Sequence, residues 1–247
     1  MGYAILRVEK IKSVAAGNAR LKHNRRQIRC VTSNPNKKNV NLVLSDQMRK
    51  DRNKTFREIF HDKVKGQKIR SNAVMALELV LTFSSGAVSE SGDSLKNWAL
   101  DNARWVGSLF GSDNVIDCSL HLDEKTPHIH AMVIPIDERG KLNARAFVGG
   151  TRERLSSLQT DYAGAMQKHG LERGICRELT KKRHESSLRW HQRMADKEER
   201  LAFYEKKYGI EDTWDFDTML EFRKALRKDE PSTRVDNKKD KIPELSK

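Results

Sequence analysis

The segment "VIDCSLHLDEKTPHIHAMVIPID", residues 115–137, leaves few choices for the fold. Two apolar runs flank a short polar turn around Glu124 to Pro127, a pattern that predicts an antiparallel hairpin. On a strand, residues i and i+2 share a face. His128 and His130 therefore point the same way, and the turn brings His121 beside them on the neighbouring strand. Three of the chain's eight histidines fall within these ten residues. Three imidazoles on one hairpin form an incomplete shell for a divalent ion, open to substrate oxygens, which suits catalysis better than structure. Asp123 and Glu124 are close enough to orient a ring N–H or a bound water. The plainer alternative is a hairpin with incidental surface histidines. A His-only set does not choose among Zn, Mn and Ni.

The rest of the first 180 residues alternates strands and helices. "YAILRVEKI" predicts a first strand from Tyr3 to Val8, and "AVMALELVLTFS", 73–84, a long buried one. Residues 13–29 read as a loop and helix carrying His23, residues 33–39 as a turn-rich loop, and residues 46–65 as a basic helix. A helix over 94–111 stops at Gly111, and another over 151–170 stops at Gly170. The expected class is α+β, an antiparallel central sheet flanked by helices. Beyond Thr180 the chain becomes densely charged. We expect a main domain over 1–180, a charged helical extension over 181–228 and a disordered tail over 229–247.

Charge is distributed unevenly. Residues 1–70 hold 19 Lys and Arg against 5 Asp and Glu, whereas residues 71–247 hold 29 of each. A polyanion is the natural partner of such a segment, and nucleic acid is the commonest one. Lys22, Arg26, Arg29, Lys37, Lys38, Arg49, Arg52 and Arg70 are candidates for backbone phosphate contacts, which give affinity rather than sequence reading. No apolar run approaches the roughly 20 residues of a membrane span. The N-terminus lacks a signal-peptide pattern. Cys30, Cys118 and Cys176 have no metal-type pairing and read as reduced, mostly buried thiols of a cytoplasmic protein.

The pair "HIH" on a central strand resembles the HUH endonucleases, which include relaxases and rolling-circle replication initiators. The longer "HLDEKTPHIHAMVIP", 121–135, is similar to the third motif of the MobV relaxases, the Pre/Mob plasmid mobilisation proteins. "YAILRVEKIK" and "LKHNRR" resemble the first motif, with its His-Asn-x-Arg core, and "NPNKKNVNLVL", 34–44, resembles the second. Glu78 falls on the strand where that family carries a glutamate near its active site. The resemblance spans residues 1–180 and says little about the remainder.

It implies an HUH-relaxase fold and a metal-dependent nickase acting on one strand at a plasmid origin of transfer, single-stranded at the nick, with a covalent 5′-phosphate adduct. The implied cofactor is Mn²⁺ or Mg²⁺, with Zn²⁺, Ni²⁺ and Co²⁺ as alternatives. Most relaxases attack with tyrosine, but the second-motif tyrosine position of many MobV members is Leu42 here. A MobV branch uses a histidine at the position matching His23, so the resemblance implies His23 as nucleophile, with Tyr3 as runner-up. Lys22, Arg25 and Arg26 would hold the phosphate, Arg25 in bidentate fashion. Glu78 would accept the other ring N–H of His23. Two alternatives stand beside this: a non-catalytic plasmid DNA-binding protein whose structural metal has a fourth protein ligand, and a rolling-circle initiator using Tyr162. The segment after Thr180 would mediate a homodimer or contact more DNA.

Overall fold

The computed structural model describes residues 2–28, 30, 33, 41–45, 50–84, 87–88, 92–124, 126–149, 152–175 and 192. The chain divides into two compact units, Met1–Lys181 and Lys182–Lys247. The expected extension over 181–228 lies outside the described residues except at 192, and the expected tail over 229–247 lies wholly outside them.

Within the first unit the elements run β1 (Gly2–Ile11), α1 (Val14–Asn24), β2 (Leu42–Val43), α2 (Phe56–Lys63), β3 (Ala76–Phe83) and α3 (Asp93–Phe110). They continue with β4 (Val115–His121), β5 (His128–Val133), α4 (Ala144–Val148), α5 (Arg152–Met166) and β6 (Leu171–Arg173). The strands form one sheet in the order β2-β4-β5-β3-β1-β6. The β1–β6 pair is parallel and the other pairs are antiparallel. The class is the expected α+β, with a mixed rather than wholly antiparallel sheet. The parallel pairing comes from a three-residue edge strand too short to show a period-2 pattern.

Strand alternation sorts the two faces. Leu77, Leu79 and Leu81 of β3, Ile129, Ala131 and Val133 of β5 and Cys118 and Leu120 of β4 join the core that contains Trp98, Trp105 and Tyr162 of α3 and α5. Ala76 and Met132 pack on the opposite face with Leu21 of α1 and Phe56, Ile59 and Phe60 of α2. Each fully buried Leu in this sheet contributes about 1.5–3 kcal/mol over an exposed one. The register places His121 opposite His128, and an irregularity between Val115 and Asp117 resets β4 so that Asp117, Ser119 and His121 share the α1 face.

The approach of α1 to α2 sets the height of His23 above that face. Ser13 caps α1 by accepting from the Ala16 N–H, and Phe56 N–H donates to Asn18 Oδ1 at 2.9 Å. A Cβ on Gly17 would lie 2.2 Å from the Phe56 ring, so only glycine allows this contact. Gly17, Leu21 and Asn24 are the buried residues of α1, spaced four and three apart along one stripe. His23 lies next to that stripe. Just past the helix, Arg26 takes φ 53°, the left-handed region that turns the chain sharply over the sheet.

Candidate active site

Four imidazoles gather on the α1 face. The ring centroids of His121, His128 and His130 are 4.9, 5.0 and 5.2 Å apart. His23 lies 5.4 Å from His130 and 5.9 Å from His121. With metal–nitrogen bonds of roughly 2.1 Å, imidazoles sharing one ion hold their centroids roughly 4.5–5.3 Å apart. The hairpin trio fits that spacing, and His23 stands just outside it. Ligand-atom proximity groups the residues differently. Among the described residues, His23 with His121 and His130, His121 with Glu124 and His128, and His23 with Cys30 and Glu124 each have ligand atoms within 4.8 Å. The hairpin trio is not itself one of these groups, so its three rings meet the spacing by centroid and not yet by ligand atom.

The partners of the three rings establish their lone pairs. Carbonyl oxygens only accept, so the nitrogen facing one carries the proton. His121 Nε2–H donates to the Asn24 carbonyl at 2.9 Å, and His128 Nδ1–H donates to the Thr126 carbonyl at 2.9 Å. His130 Nδ1–H donates to Glu78 Oε1 at 3.0 Å. This leaves Nδ1 of His121 and Nε2 of His128 and His130 as acceptors or ligands. His121 Nδ1 is buried and has no hydrogen-bond partner among the described residues. Leaving such an atom unpaired costs about 1–3 kcal/mol, which a cation would recover. Burial, reinforced by neighbouring His130, holds the His121 pKa down to about 3. Burial also lowers His128, so both rings are neutral and ligand-ready at neutral pH.

His23 is half-buried. Burial first, then His130 and Arg26, lowers its pKa, which keeps the ring neutral. Arg26 Nη1 lies 3.4 Å from His23 Nε2. A guanidinium only donates, so Nε2 presents its lone pair to that side.

The acids and arginines differ from expectation in their partners. Glu78 was expected to serve His23, but its carboxylate accepts from His130 Nδ1–H and also lies 3.3 Å from Arg20 Nε. The register explains this: Glu78 stands opposite Met132, two residues from His130 on the same face. Burial pushes the Glu78 carboxyl upward, but the hydrogen bond from His130 and the electrostatic influence of His130 and Arg20 outweigh it, so the net shift is downward. Arg25 was expected to clamp phosphate. Instead its guanidinium is buried, facing Asp117 Oδ2 at 3.3 Å and donating to the carbonyls of Arg52 at 3.0 Å and Lys54 at 3.2 Å. It is a strut between α1, β4 and the approach to α2.

Arg26, the arginine of the His-Asn-x-Arg core, is the one beside His23. Asp123 meets it with both oxygens, at 2.9 and 2.6 Å, and Glu124 meets it at 2.7 Å. The two acids thus hold a guanidinium rather than an imidazole N–H, although Glu124 also lies 3.8 Å from His128 Nε2. Asn41 receives the Leu122 N–H at 2.7 Å and ties the second-motif segment to the hairpin turn.

Lys22, Arg52 and Arg70 are exposed. Arg29, Lys37, Lys38, Arg49 and Cys176 lie outside the described residues. Cys118 is buried, but Cys30 is only half-buried. Tyr3 is 44% exposed. Tyr162 is fully buried, and its hydroxyl donates to Asn102 Oδ1 at 2.9 Å, away from the histidine face. Among the described residues, no helix is long and apolar enough to cross a membrane.

Comparison with known proteins bears on the family and the fold. A family model, Mob_Pre, plasmid recombination enzyme, matches residues 1–192. The chain is 34% identical over 177 residues to a "65 kDa protein" of Zymomonas mobilis subsp. mobilis, covering 70% of this chain and 30% of that protein. It is 30% identical over 220 residues to a plasmid recombination enzyme of Streptococcus agalactiae, covering 85% of this chain and 43% of that enzyme. The chain therefore spans less than half the length of these two relatives. Among solved structures it is similar to the MobM relaxase domain (MOBV; Mob_Pre) bound to 22 nucleotides of plasmid pMV158 oriT DNA, in Mn-bound form. That match has a TM-score of 0.66 and 28% identity, over 77% of this chain and 98% of the other. A complex of the same domain with a 23-nucleotide oriT DNA matches at 29% identity and TM-score 0.66, over 78% and 98% of the two chains.

Proposed function

Because the chain belongs to the Mob_Pre family of plasmid recombination enzymes, we propose that it is a relaxase that nicks one strand at a plasmid origin of transfer and remains joined to the 5′-phosphate through His23. The observation that carries the reading is a neutral His23 at the edge of the three-histidine shell, 5.4 Å from His130. Manganese in the similar MobM complexes, together with the three lone pairs on one hairpin, supports a divalent ion held by His121, His128 and His130. Such an ion, when bound, would polarise a non-bridging phosphate oxygen and offset transition-state charge.

The chain's own residues do the rest. His23 Nε2 attacks phosphorus, a nitrogen–phosphorus bond forms, and the bond to the 3′-oxygen breaks. The 3′-oxygen leaves as a hydroxyl after taking a proton from solvent. The covalent link stores the phosphodiester energy, so rejoining runs the same bonds in reverse. Arg26, braced by Asp123 and Glu124, fixes the approach to His23. Glu78 fixes the His130 tautomer and makes the ring a better ligand. Lys22 and Arg70, with Arg29, Lys37 and Lys38, supply salt-dependent attraction to the DNA backbone. The reading places the protein in the cytoplasm with its plasmid.

The test is a denaturing gel of a labelled single-stranded origin oligonucleotide incubated with Mn²⁺. Wild type gives the shortened product and a protein-linked band, and His23→Ala gives neither. Product formation at the wild-type level by His23→Ala would refute the assignment.

A further inference from the structure

The hairpin trio leaves one set of ligand-bearing side chains unassigned. A ring nitrogen of His23, Sγ of Cys30 and a carboxylate oxygen of Glu124 lie within 4.8 Å of one another, all half-buried and so within reach of solvent. Cys30 Sγ is 3.7 Å from Glu124 Oε1. A tetrahedral ion with a 2.3 Å bond to sulfur and a 2.1 Å bond to oxygen separates those two atoms by roughly 3.6 Å. One edge of a coordination shell is therefore already at its working length, and the imidazole has to close by at most roughly 1.4 Å. Arg26 stands beside the set, but Asp123 and Glu124 both face its guanidinium.

We propose that His23, Cys30 and Glu124 form a second cation site, selective for a thiophilic divalent ion such as Zn²⁺, and that filling it withdraws His23 from attack on DNA. The second clause rests on His23 being the nucleophile, and the first does not. The selectivity follows from ligand softness. The hairpin offers nitrogen alone, whereas a thiolate discriminates for zinc and against manganese and magnesium. On binding, the Cys30 S–H bond is exchanged for a sulfur–metal bond and the proton passes to solvent, with no electron transferred. Three protein ligands leave a fourth position for water. A thiophilic ion can thus silence the enzyme while manganese is in excess, an arrangement that would couple strand transfer to zinc supply.

The test uses the full chain without DNA, titrated with Co²⁺ as the spectroscopic stand-in for Zn²⁺. Wild type should develop a near-ultraviolet thiolate-to-cobalt charge-transfer band that excess Zn²⁺ removes. The band should persist in His128→Ala, which lacks a hairpin ligand, and vanish in Cys30→Ser. In the oligonucleotide assay at saturating Mn²⁺, the Zn²⁺ concentration that halves each protein's own rate should rise at least roughly tenfold in Cys30→Ser, the lower end of what a lost outer-shell partner costs a metal site. No band in wild type, or a band retained by Cys30→Ser through Cys118 or Cys176, overturns the site. A Cys30-dependent band without Cys30-dependent inhibition overturns the coupling to His23. If wild type cleaves nothing, the nucleophile assignment fails, and the cobalt spectrum still decides the site.

Discussion

His130 Nδ1 and the Glu78 carboxylate meet at 3.0 Å across the β3–β5 ladder, and this contact determines which nitrogen of His130 faces the other imidazoles. The proton on Nδ1 leaves the Nε2 lone pair for an ion. The relationship is diagonal, between Glu78 and the residue two positions from its direct partner Met132, so it depends on strand register.

Replacing the carboxylate should therefore weaken metal binding without removing a ligand. Glu78→Gln keeps the shape but loses the charge. We expect Mn²⁺ affinity to fall about 10- to 100-fold. Electron paramagnetic resonance of free Mn²⁺ measures it, and an unchanged affinity would show that His130 needs no orienting partner.

Arg25 should behave as a structural residue. Its guanidinium and Asp117 are almost wholly buried, with side-chain exposures of 4% and 0%. Arg25→Met leaves the Asp117 carboxylate buried without its cation, and we expect a loss of about 3 kcal/mol in urea unfolding. Adding Asp117→Asn should recover most of it. If Arg25→Met instead leaves stability intact and raises the salt sensitivity of DNA binding, the arginine contacts phosphate after all.

Gly17 should tolerate no side chain. Its missing Cβ is the space in which the Phe56 ring sits, and Phe56 is fully buried. Gly17→Ala is expected to cost about 1–3 kcal/mol through overpacking. Cleavage should fall in the same variant, because α1 carries His23. A melting temperature equal to wild type would show that α1 can shift freely.

One pH effect can be assigned outside the histidine cluster. Asp137 accepts from the Asn143 side chain, the Lys141 N–H and the Arg139 side chain and N–H. These bonds, Asn143 first, hold its pKa down to about 2, below the ordinary 3.8. A carboxylate with a depressed folded pKa stabilises the fold above its unfolded pKa and loses that contribution as pH falls through the folded value. The loop joining β5 to α4 should therefore stay protected at pH 4 and open between about pH 4 and 2. Amide exchange of Lys141 reports it, and Asp137→Asn should abolish the pH dependence.

The sheet and the hairpin were legible because their signals are local. Alternation across 115–137 and a proline-containing turn suffice to put three histidines on one face. The partners of those histidines were not legible. Glu78 serves His130 because of the β3–β5 register, which no single strand encodes. Arg25 departs from the phosphate role expected of it because α1 ends at Asn24 and the main chain turns at Arg26, φ 53°. A motif aligns residues but does not say which way successive side chains point past a helix end. The short β2 and β6 were missed because two or three residues carry no periodicity.

The relaxase mechanism turns on the atom that becomes joined to DNA. Peptide mass spectrometry of the trapped protein–oligonucleotide adduct, digested under alkaline conditions that spare a phosphoramidate, reads it directly. The nucleotide mass is expected on the peptide containing His23, with the adduct lost on mild acid treatment. An acid-stable adduct on the peptide containing Tyr3, or on any other tyrosine, would contradict it.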